Sequence, residues 1–252
     1  MKFSIITVCF NAETHIKNCI KSVVEQTFND YEHVIIDGQS SDQTMEIVKK
    51  YSHEKLVVIS DKDSGIYNAM NKGLNIASGD YVLFLNSDDA MSYGDALLDL
   101  DSLLKENDVE IITAGINYIN EQNQILTSWM PEKFHLFKIL FGWHTPHPGF
   151  VAKRSLYLKV GKFNESLTIA ADFELMLRMC INAQTSPLVF RRAIVDMYSG
   201  GVSSSFRGIM TGFYDIFRAF KINNMPVYFV SHMFFRYLLK IPKFFIRRVQ
   251  FF

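Results

Sequence analysis

The sequence predicts an α/β fold with a mostly parallel central sheet flanked by helices, and three observations carry that expectation. Short apolar runs rich in β-branched residues recur through the first 115 residues. Helix-length amphipathic segments separate them, and strand–helix repetition at this spacing favours parallel pairing with helices on both faces. Polar and acidic residues collect just past the ends of the apolar runs, where open α/β sheets place their ligands.

Taken in order, Phe3–Val8 opens the chain as a strand, followed by a helix over Ala12–Gln26. His33–Ile36 is the second strand, and Ser41 or Asp42 can cap the helix over Asp42–Tyr51. Leu56–Ile59 is the third strand. The helix Gly65–Ala77 after it carries Gly65, Ala69, Gly73 and Ala77 at every fourth position. That spacing lines small side chains along one ridge, beside a stripe of Ile66, Met70 and Leu74, so this helix can press closely on the sheet. Tyr81–Leu85 is the fourth strand, Tyr93–Lys105 a helix and Glu110–Thr113 the fifth strand. After Asn120 the alternation stops. Thr145–Gly149 is a loop leading into an apolar strand Phe150–Ala152, a helix runs from about Ala171 to Ile181, and Ser199–Ser205 has the composition of a mobile loop.

With 48% apolar and 14% aromatic residues in 252, the chain can bury a sizeable core. The formal net charge is zero, but it is segregated. From Ser205 onward there are eight Lys and Arg against the single acid Asp215, leaving 18 basic and 25 acidic residues before it. An acidic body with a basic end points to an anionic surface as partner of that end, and no nucleic-acid partner is expected. Cys9, Cys19 and Cys180 have neither the number nor the spacing of a disulfide frame or zinc site. The chain opens directly on a strand rather than on a signal peptide, which gives a cytoplasmic expectation.

Two segments carry chemistry. In Tyr81–Asp89 a hydrophobic strand delivers Asn86, Ser87, Asp88 and Asp89 at its carboxyl end. Adjacent carboxylates repel unless water or a cation stabilises them, and Mg²⁺ or Mn²⁺ suits such oxygen ligands. Capping of the next helix, or a solvated turn, is the plainer alternative. In Asp37–Thr44 the acid stands at the strand end, where it can accept hydrogen bonds from a base or a ribose, and the rest is helix punctuation.

Five ordered blocks make a more specific pattern: Ser4–Asn11, Ile36–Thr44, Asp63–Gly73, Ala77–Asp80 and Leu85–Asp89. With His147–Phe150, Arg154–Tyr157 and Ala171–Arg178, they resemble family 2 glycosyltransferases of the GT-A fold, over roughly residues 1–205. Within that family they look like the bacterial non-processive branch building O-antigen, capsule and exopolysaccharide units. The resemblance implies a nucleotide-sugar-binding half at 1–115, an acceptor and catalytic half at 116–205, and a basic helical tail at 206–252.

It also implies roles. Thr7, Asn11 and Glu13 would line the nucleotide pocket, with Asp37 on the uracil or ribose and Asp63 at the donor's base or sugar edge. Asn86-Ser87-Asp88 occupies the place of the D-x-D motif, so Asp88 would hold Mn²⁺ or Mg²⁺ against the diphosphate of a UDP-sugar. Asp172 matches the base of inverting members, which takes the proton of the attacking hydroxyl; favouring a helix N-terminus is its plainer role. Two positions depart from the pattern: Asn86 replaces the first Asp, and Met70 stands where many members carry Arg. The absence of a Q-x-x-R-W motif argues against a processive synthase. His147, between two prolines, could be a metal ligand, an acceptor contact or a plain loop residue, and acceptor contact is its expected role. Trp143 and His144 could form a sugar-stacking surface, although a buried Trp is commoner.

Rival readings are a sugar nucleotidyltransferase, which would want a Gly-rich basic loop that Thr7–Glu13 lacks, and a silent sugar-nucleotide-binding partner of an assembly complex. At the far end, Arg236, Lys240, Lys243 and Arg247 fall on one helical face. Phe234, Leu238, Ile241, Phe245, Val249 and Phe252 fall opposite, with Pro242 expected to kink the helix. This is the pattern of a helix lying in a membrane interface, peripheral at the inner face of the cell membrane, and it suits an acceptor on a polyprenyl lipid.

Overall fold

The protein is described by a computed structural model over residues 1–198 and 206–238. The expected Ser199–Ser205 loop, and the basic stripe from Lys240 onward, lie outside the described residues.

The first half is a parallel sheet with its helical crossovers. Strands β1 (Phe3–Cys9), β2 (Tyr31–Asp37), β3 (Leu56–Ser60) and β4 (Tyr81–Phe84) pair in parallel in the order β3-β2-β1-β4. Helices α1 (Ile16–Val24), α2 (Thr44–Lys50) and α3 (Ile66–Ile76) connect them. All seven residues of β1 and of β2 are buried, as expected of central strands covered on both faces.

Beyond β4 the pairing becomes mixed. The short β5 (Ala90–Met91), α4 (Ala96–Glu106), β6 (Ile111–Ile119) and β7 (Ile125–Trp129) come next. Two 3-10 turns, Leu136–Phe141 and His147–Gly149, precede β8 (Phe150–Lys153), α5 (Arg154–Val160), α6 (Ala171–Asn182) and β9 (Leu188–Tyr198). Strand β8 inserts antiparallel between β4 and β6, and β9 pairs parallel to β6. Among the described residues the result is one nine-stranded sheet.

Alternation along β1 divides the core. Phe3 and Ile5 join the apolar cluster containing Cys19, Val23, Leu97 and Leu100 of α1 and α4. Ile6 and Val8 join the cluster formed with α3 and α6. The small-residue ridge of α3 meets this second face, where a methyl on Gly73 would run into Cγ2 of Ile6. Ile66, expected in the adjoining apolar stripe, is instead exposed at the first position of α3. All three cysteines are free and buried.

Expected and observed boundaries differ where backbone groups have other partners. Helix α1 starts at Ile16 rather than Ala12, and over 12–13 the chain is tied to the loop after β2, the N–H of Ala12 donating to Thr44 Oγ1 and that of Glu13 to Asp42 Oδ2. Strand β6 extends to Ile119 and β9 spans eleven residues, so regular structure continues well past Asn120.

The segment expected as a tail begins with two helices packed on the body, α7 (Phe206–Ile222) and α8 (Tyr228–Leu238). Ile216, Ala219, Phe220 and Met233 belong to the same buried cluster as Trp143 and Phe173. Asp215 is buried, and its Oδ2 accepts from the N–H groups of Thr168 and Ile169, both at 2.7 Å. Arg236 is half-buried rather than on an outward cationic face: a methyl on Gly142 would lie 2.9 Å from its backbone nitrogen.

Candidate active site

The site is built where the carboxyl ends of β1, β2 and β4 meet the loops that follow them. Asn11 takes a left-handed conformation (φ 49°), which Asn tolerates better than most residues. Its Oδ1 accepts from the N–H of Ser41 at 2.9 Å, and its own N–H donates to Ser40 Oγ at 2.8 Å. Glu13 Oε2 accepts from the N–H of Gln43 at 2.9 Å. The two loops therefore clasp each other, and Asn11 and Glu13 remain exposed on their rim.

Asp37 and Thr7 are placed differently from expectation. Asp37 is fully buried, accepting from Ser40 Oγ at 2.5 Å and Ser60 Oγ at 2.6 Å. Its carboxylate fixes the loop from below instead of facing open space. Thr7 is fully buried too, on the α1 face of the sheet, with its hydroxyl 2.9 Å from His33 Nε2. It supports the strand end and offers no side chain to a ligand. Asp63, half-buried, packs against Gly38, where an added methyl would lie 2.5 Å from its Oδ2. Exposed Phe10 borders the same glycine.

Past β4, the N–H of Asp89 closes a turn onto the carbonyl of Asn86 at 3.0 Å. Asp88 is exposed there, with Asn86 and Ser87 half-buried beside it. Asp89 is 1% exposed and receives Asn86 Nδ2 at 3.1 Å. Burial, then the Asp88 charge, push its pKa well above the carboxylate range. Asn86 Oδ1 and Asp89 Oδ1 are buried with no hydrogen-bond partner. An exposed carboxylate beside two unpartnered oxygens fits a hard divalent cation that takes one or two protein ligands and completes its shell on phosphate. Among the described residues no three His, Cys, Asp or Glu side chains converge on a fuller cage.

Asp172 sits in the first turn of α6, half-buried. The Tyr67 hydroxyl donates to Ile169 O at 2.6 Å and lies 3.4 Å from Asp172 Oδ1. Burial, then the Asp172 charge, push the Tyr67 phenol up, so it stays protonated. The Tyr67 ring stacks on Phe163 at 5.6 Å, Phe163 meets Phe84 edge-on at 5.1 Å, and Phe84 stacks on His147 at 5.4 Å. Burial lowers the His147 pKa against the opposing pull of Asp172, which keeps the ring neutral at neutral pH. This aromatic box connects β4, which leads to Asp88, with the helix that bears Asp172. Helix α3 clamps the connection: Asn71 Nδ2 donates to Phe163 O at 3.0 Å and to Glu165 Oε1 at 2.7 Å, and Asn68 Nδ2 reaches Glu165 Oε2.

The sequence profile described as glycosyl transferase family 2 matches residues 4–161, more than half of the chain. The chain belongs to this family. It is a glycosyltransferase, and its mixed sheet with flanking helices is the GT-A fold. It is similar to a "PGL/p-HBAD biosynthesis glycosyltransferase" of Mycobacterium bovis, 28% identical over 208 residues, covering 81% of this chain and 79% of the relative. Among solved structures, a fragment of TarS from S. aureus superposes with a TM-score of 0.69 at 23% identity, covering 93% of this chain and 72% of the fragment. The same fragment was solved with UDP-GlcNAc (TM-score 0.68). A mannosyltransferase from Pyrobaculum calidifontis, solved with GDP-Man and Mn²⁺, gives 0.66 at 14% identity, covering 92% of this chain and 69% of its own. At these identities the superpositions carry the fold alone.

In this glycosyltransferase, sequence reasoning missed Asp89 as a buried partner of Asn86, and Tyr67, Asn68 and Asn71 as the clamp on the Asp172 segment. The signal of the clamp was the unbroken Asp63–Gly73 block, denser in polar residues than packing on a sheet requires. Trp143 is buried and donates to Glu132 O, so it offers no stacking face to a sugar.

Proposed function

We propose that this glycosyltransferase moves a sugar, with inversion, from a UDP-sugar to a saccharide carried on a polyprenyl diphosphate, in building a surface polysaccharide of the O-antigen or capsule type. The observation that carries this reading is Asp172: a half-buried carboxylate at a helix start, held by a protonated Tyr67 and joined through one aromatic box to the strand leading to Asp88. Asp172 would take the acceptor hydroxyl proton as that oxygen attacks the anomeric carbon. His147, neutral and stacked on Phe84, would bound the acceptor side.

Asn11, Glu13 and Asp63 would contact the nucleoside from the loop rim, with Asp37 acting through the loop it fixes. Asp88, with Asn86 and Ser87, would hold Mn²⁺ or Mg²⁺. That cation would supply charge neutralisation for the departing diphosphate. UDP is favoured because the TarS fragment, nearer in identity than the mannosyltransferase, was solved with UDP-GlcNAc. A lipid-borne acceptor is favoured by the basic, aromatic C-terminal segment, which suits an enzyme peripheral at the inner face of the membrane. Among the described residues no helix is long and apolar enough to cross a membrane.

The test compares wild type with Asp172→Asn and Asp88→Asn, reading the melting midpoint with UDP, GDP and Mn²⁺ alongside donor turnover. UDP with Mn²⁺ should raise the wild-type midpoint, since a ligand of the native state stabilises it. Asp172→Asn should keep that rise while turnover falls about 10²- to 10⁴-fold. Asp88→Asn should lose the part that depends on Mn²⁺. Wild-type turnover by Asp172→Asn would overturn the base assignment.

A further inference from the structure

The hairpin of α7 and α8 carries an apolar surface that the glycosyl-transfer site does not use. Helix α8 lies between α7 and the 3-10 turn Leu136–Phe141, and ring contacts join the three. Phe213 and Phe217 of α7 meet Phe229 of α8 at 5.0 and 5.1 Å, and Phe235 of α8 meets Phe141 at 4.9 Å. Each element also exposes large apolar side chains: Phe213 (44%) on α7, Val230 (73%) and Phe234 (61%) on α8, and Phe137 (58%) on the turn. Single exposed apolar residues are ordinary, but an adjoining set of this kind marks an interaction surface.

Charge identifies the occupant. The only acid of the C-terminal segment, Asp215, is buried and used up on the backbone of Thr168 and Ile169. The hairpin therefore presents no carboxylate outward, while Lys221 is exposed on α7. On the adjoining turn, Lys138 is paired with Glu132. Beyond Leu238 the sequence continues for 14 residues with Lys240, Lys243, Arg247 and Arg248 and no acid. An aromatic surface followed in the sequence by a run of cations matches the boundary between acyl chains and anionic headgroups. A protein partner whose docking face lacks acidic groups would leave these cations without a counterpart.

We propose that the outer face of the α7–α8 hairpin, together with the Leu136–Phe141 turn, is itself a docking surface for an anionic lipid bilayer, with the basic segment as its electrostatic complement. This deepens the proposed membrane placement, which rests on the composition of the C-terminal segment, by naming the folded surface that makes the contact. The hairpin packs on α6, the helix that bears Asp172, through Phe220 on Phe173. Docking there would orient the site toward an acceptor held at the same surface.

The experiment is flotation of the full chain with vesicles of phosphatidylcholine alone or mixed with phosphatidylglycerol. It compares wild type, Val230→Glu, Phe234→Glu and a Lys240→Gln/Lys243→Gln/Arg247→Gln/Arg248→Gln variant. Circular dichroism and donor turnover confirm folding, because Val230 and Phe234 lie outside the core and the site. Wild type should float with the mixed vesicles and not with neutral ones. Each glutamate variant should lose about tenfold in vesicle affinity, as removing a deeply inserted apolar side chain predicts. If only the four-Gln variant loses binding, the hairpin proposal is overturned while the membrane placement stands. If wild type floats with neither vesicle, both fall. If light scattering finds a dimer that Phe234→Glu converts to monomer, the surface belongs to a second copy and the bilayer proposal is overturned.

Discussion

Gly79 and Gly212 invite the same substitution with opposite outcomes. Gly79 lies in the turn between α3 and β4, against the start of β1. A methyl built there would sit 2.6 Å from Ser4 N, 2.7 Å from the Phe3 carbonyl carbon and 2.7 Å from Ser4 Oγ. Heavy atoms in good contact stand about 3.5–4.0 Å apart, so the overlap approaches 1 Å at two backbone atoms of a fully buried central strand. Neither can swing aside as a side-chain tip would. Overpacking of this kind costs about 1–3 kcal/mol. Displacing the turn would also strain the Gly79 N–H bond to Ser4 Oγ at 2.8 Å, worth about 1 kcal/mol. The lower chain entropy of unfolded Ala returns about 0.4–1 kcal/mol.

Gly79→Ala should therefore destabilise by about 1–3.5 kcal/mol, which lowers the midpoint by roughly 2–4 °C per kcal/mol in a chain of this size. At Gly212, inside α7, the nearest atom to an added methyl is Ile169 Cγ2 at an ordinary 3.7 Å. There the helix preference for Ala dominates, and Gly212→Ala should stabilise by about 0.5–1 kcal/mol. Urea unfolding of both variants measures this directly. A Gly79→Ala protein as stable as wild type would refute the reasoning, because it would mean the turn does not rest on β1 as described.

Two further outcomes follow from the same kind of reasoning. Burial pushes the Glu32 carboxyl up, but hydrogen bonds to Oε1 from Ser4 Oγ, Ser78 N, Ser78 Oγ and Gly79 N outweigh it and hold the carboxyl below its ordinary range. Its stabilisation is present above the unfolded Glu value of about 4.3 and fades as pH falls through the lower folded value; Glu32→Gln should cost about 1.5–3 kcal/mol at pH 7 and converge on wild type in acid, read by urea titrations across pH. Tyr67→Phe removes the donor shared by Ile169 O and Asp172 Oδ1; kcat should drop about 3- to 10-fold with the donor KM within about twofold, and a change confined to KM would count against a positioning role.

Legibility in the sequence followed the locality of the interactions. The parallel half could be read because each of its strands is a compact apolar run and each crossover an amphipathic segment of ordinary length. Strand β9 escaped notice because Arg191, Arg192 and Asp196 interrupt its apolar pattern. Two of those polar residues are accounted for only by distant partners: Arg192 lies over the Tyr93 ring, and Asp196 accepts from Ser92 and Asn117. At the site, the exposed place of Asp88 past β4 and the first-turn place of Asp172 on α6 agree with where their motifs put them. The burial of Asp37 and Thr7 was not legible, since whether a polar side chain at a strand end faces a cleft or a neighbouring loop depends on the neighbour. Ser60 and Ser40 decide it for Asp37, and His33 for Thr7.

The two halves of the site are joined by one helix, and that helix explains why its motif is so polar. A helix serving only to cover β1 and β2 needs small residues on one ridge and apolar ones beside it, which Ala69, Gly73, Met70 and Leu74 supply. Tyr67, Asn68 and Asn71 project from the same helix toward residues 163–172 and bind that segment by backbone carbonyl, carboxylate and backbone N–H. Lys72 meanwhile holds the loop after β3 through Asp61 and the Lys62 carbonyl. The chain from Asp61 to Asp63 and the segment carrying Asp172 are thus both referenced to α3, and α3 is referenced to the sheet by the close approach at Gly73. On the proposed function, a donor held by the first half and an acceptor deprotonated by the second must bring their reacting atoms within about 3–3.5 Å. A single rigid element touching both halves meets that requirement more directly than two elements that could shift independently.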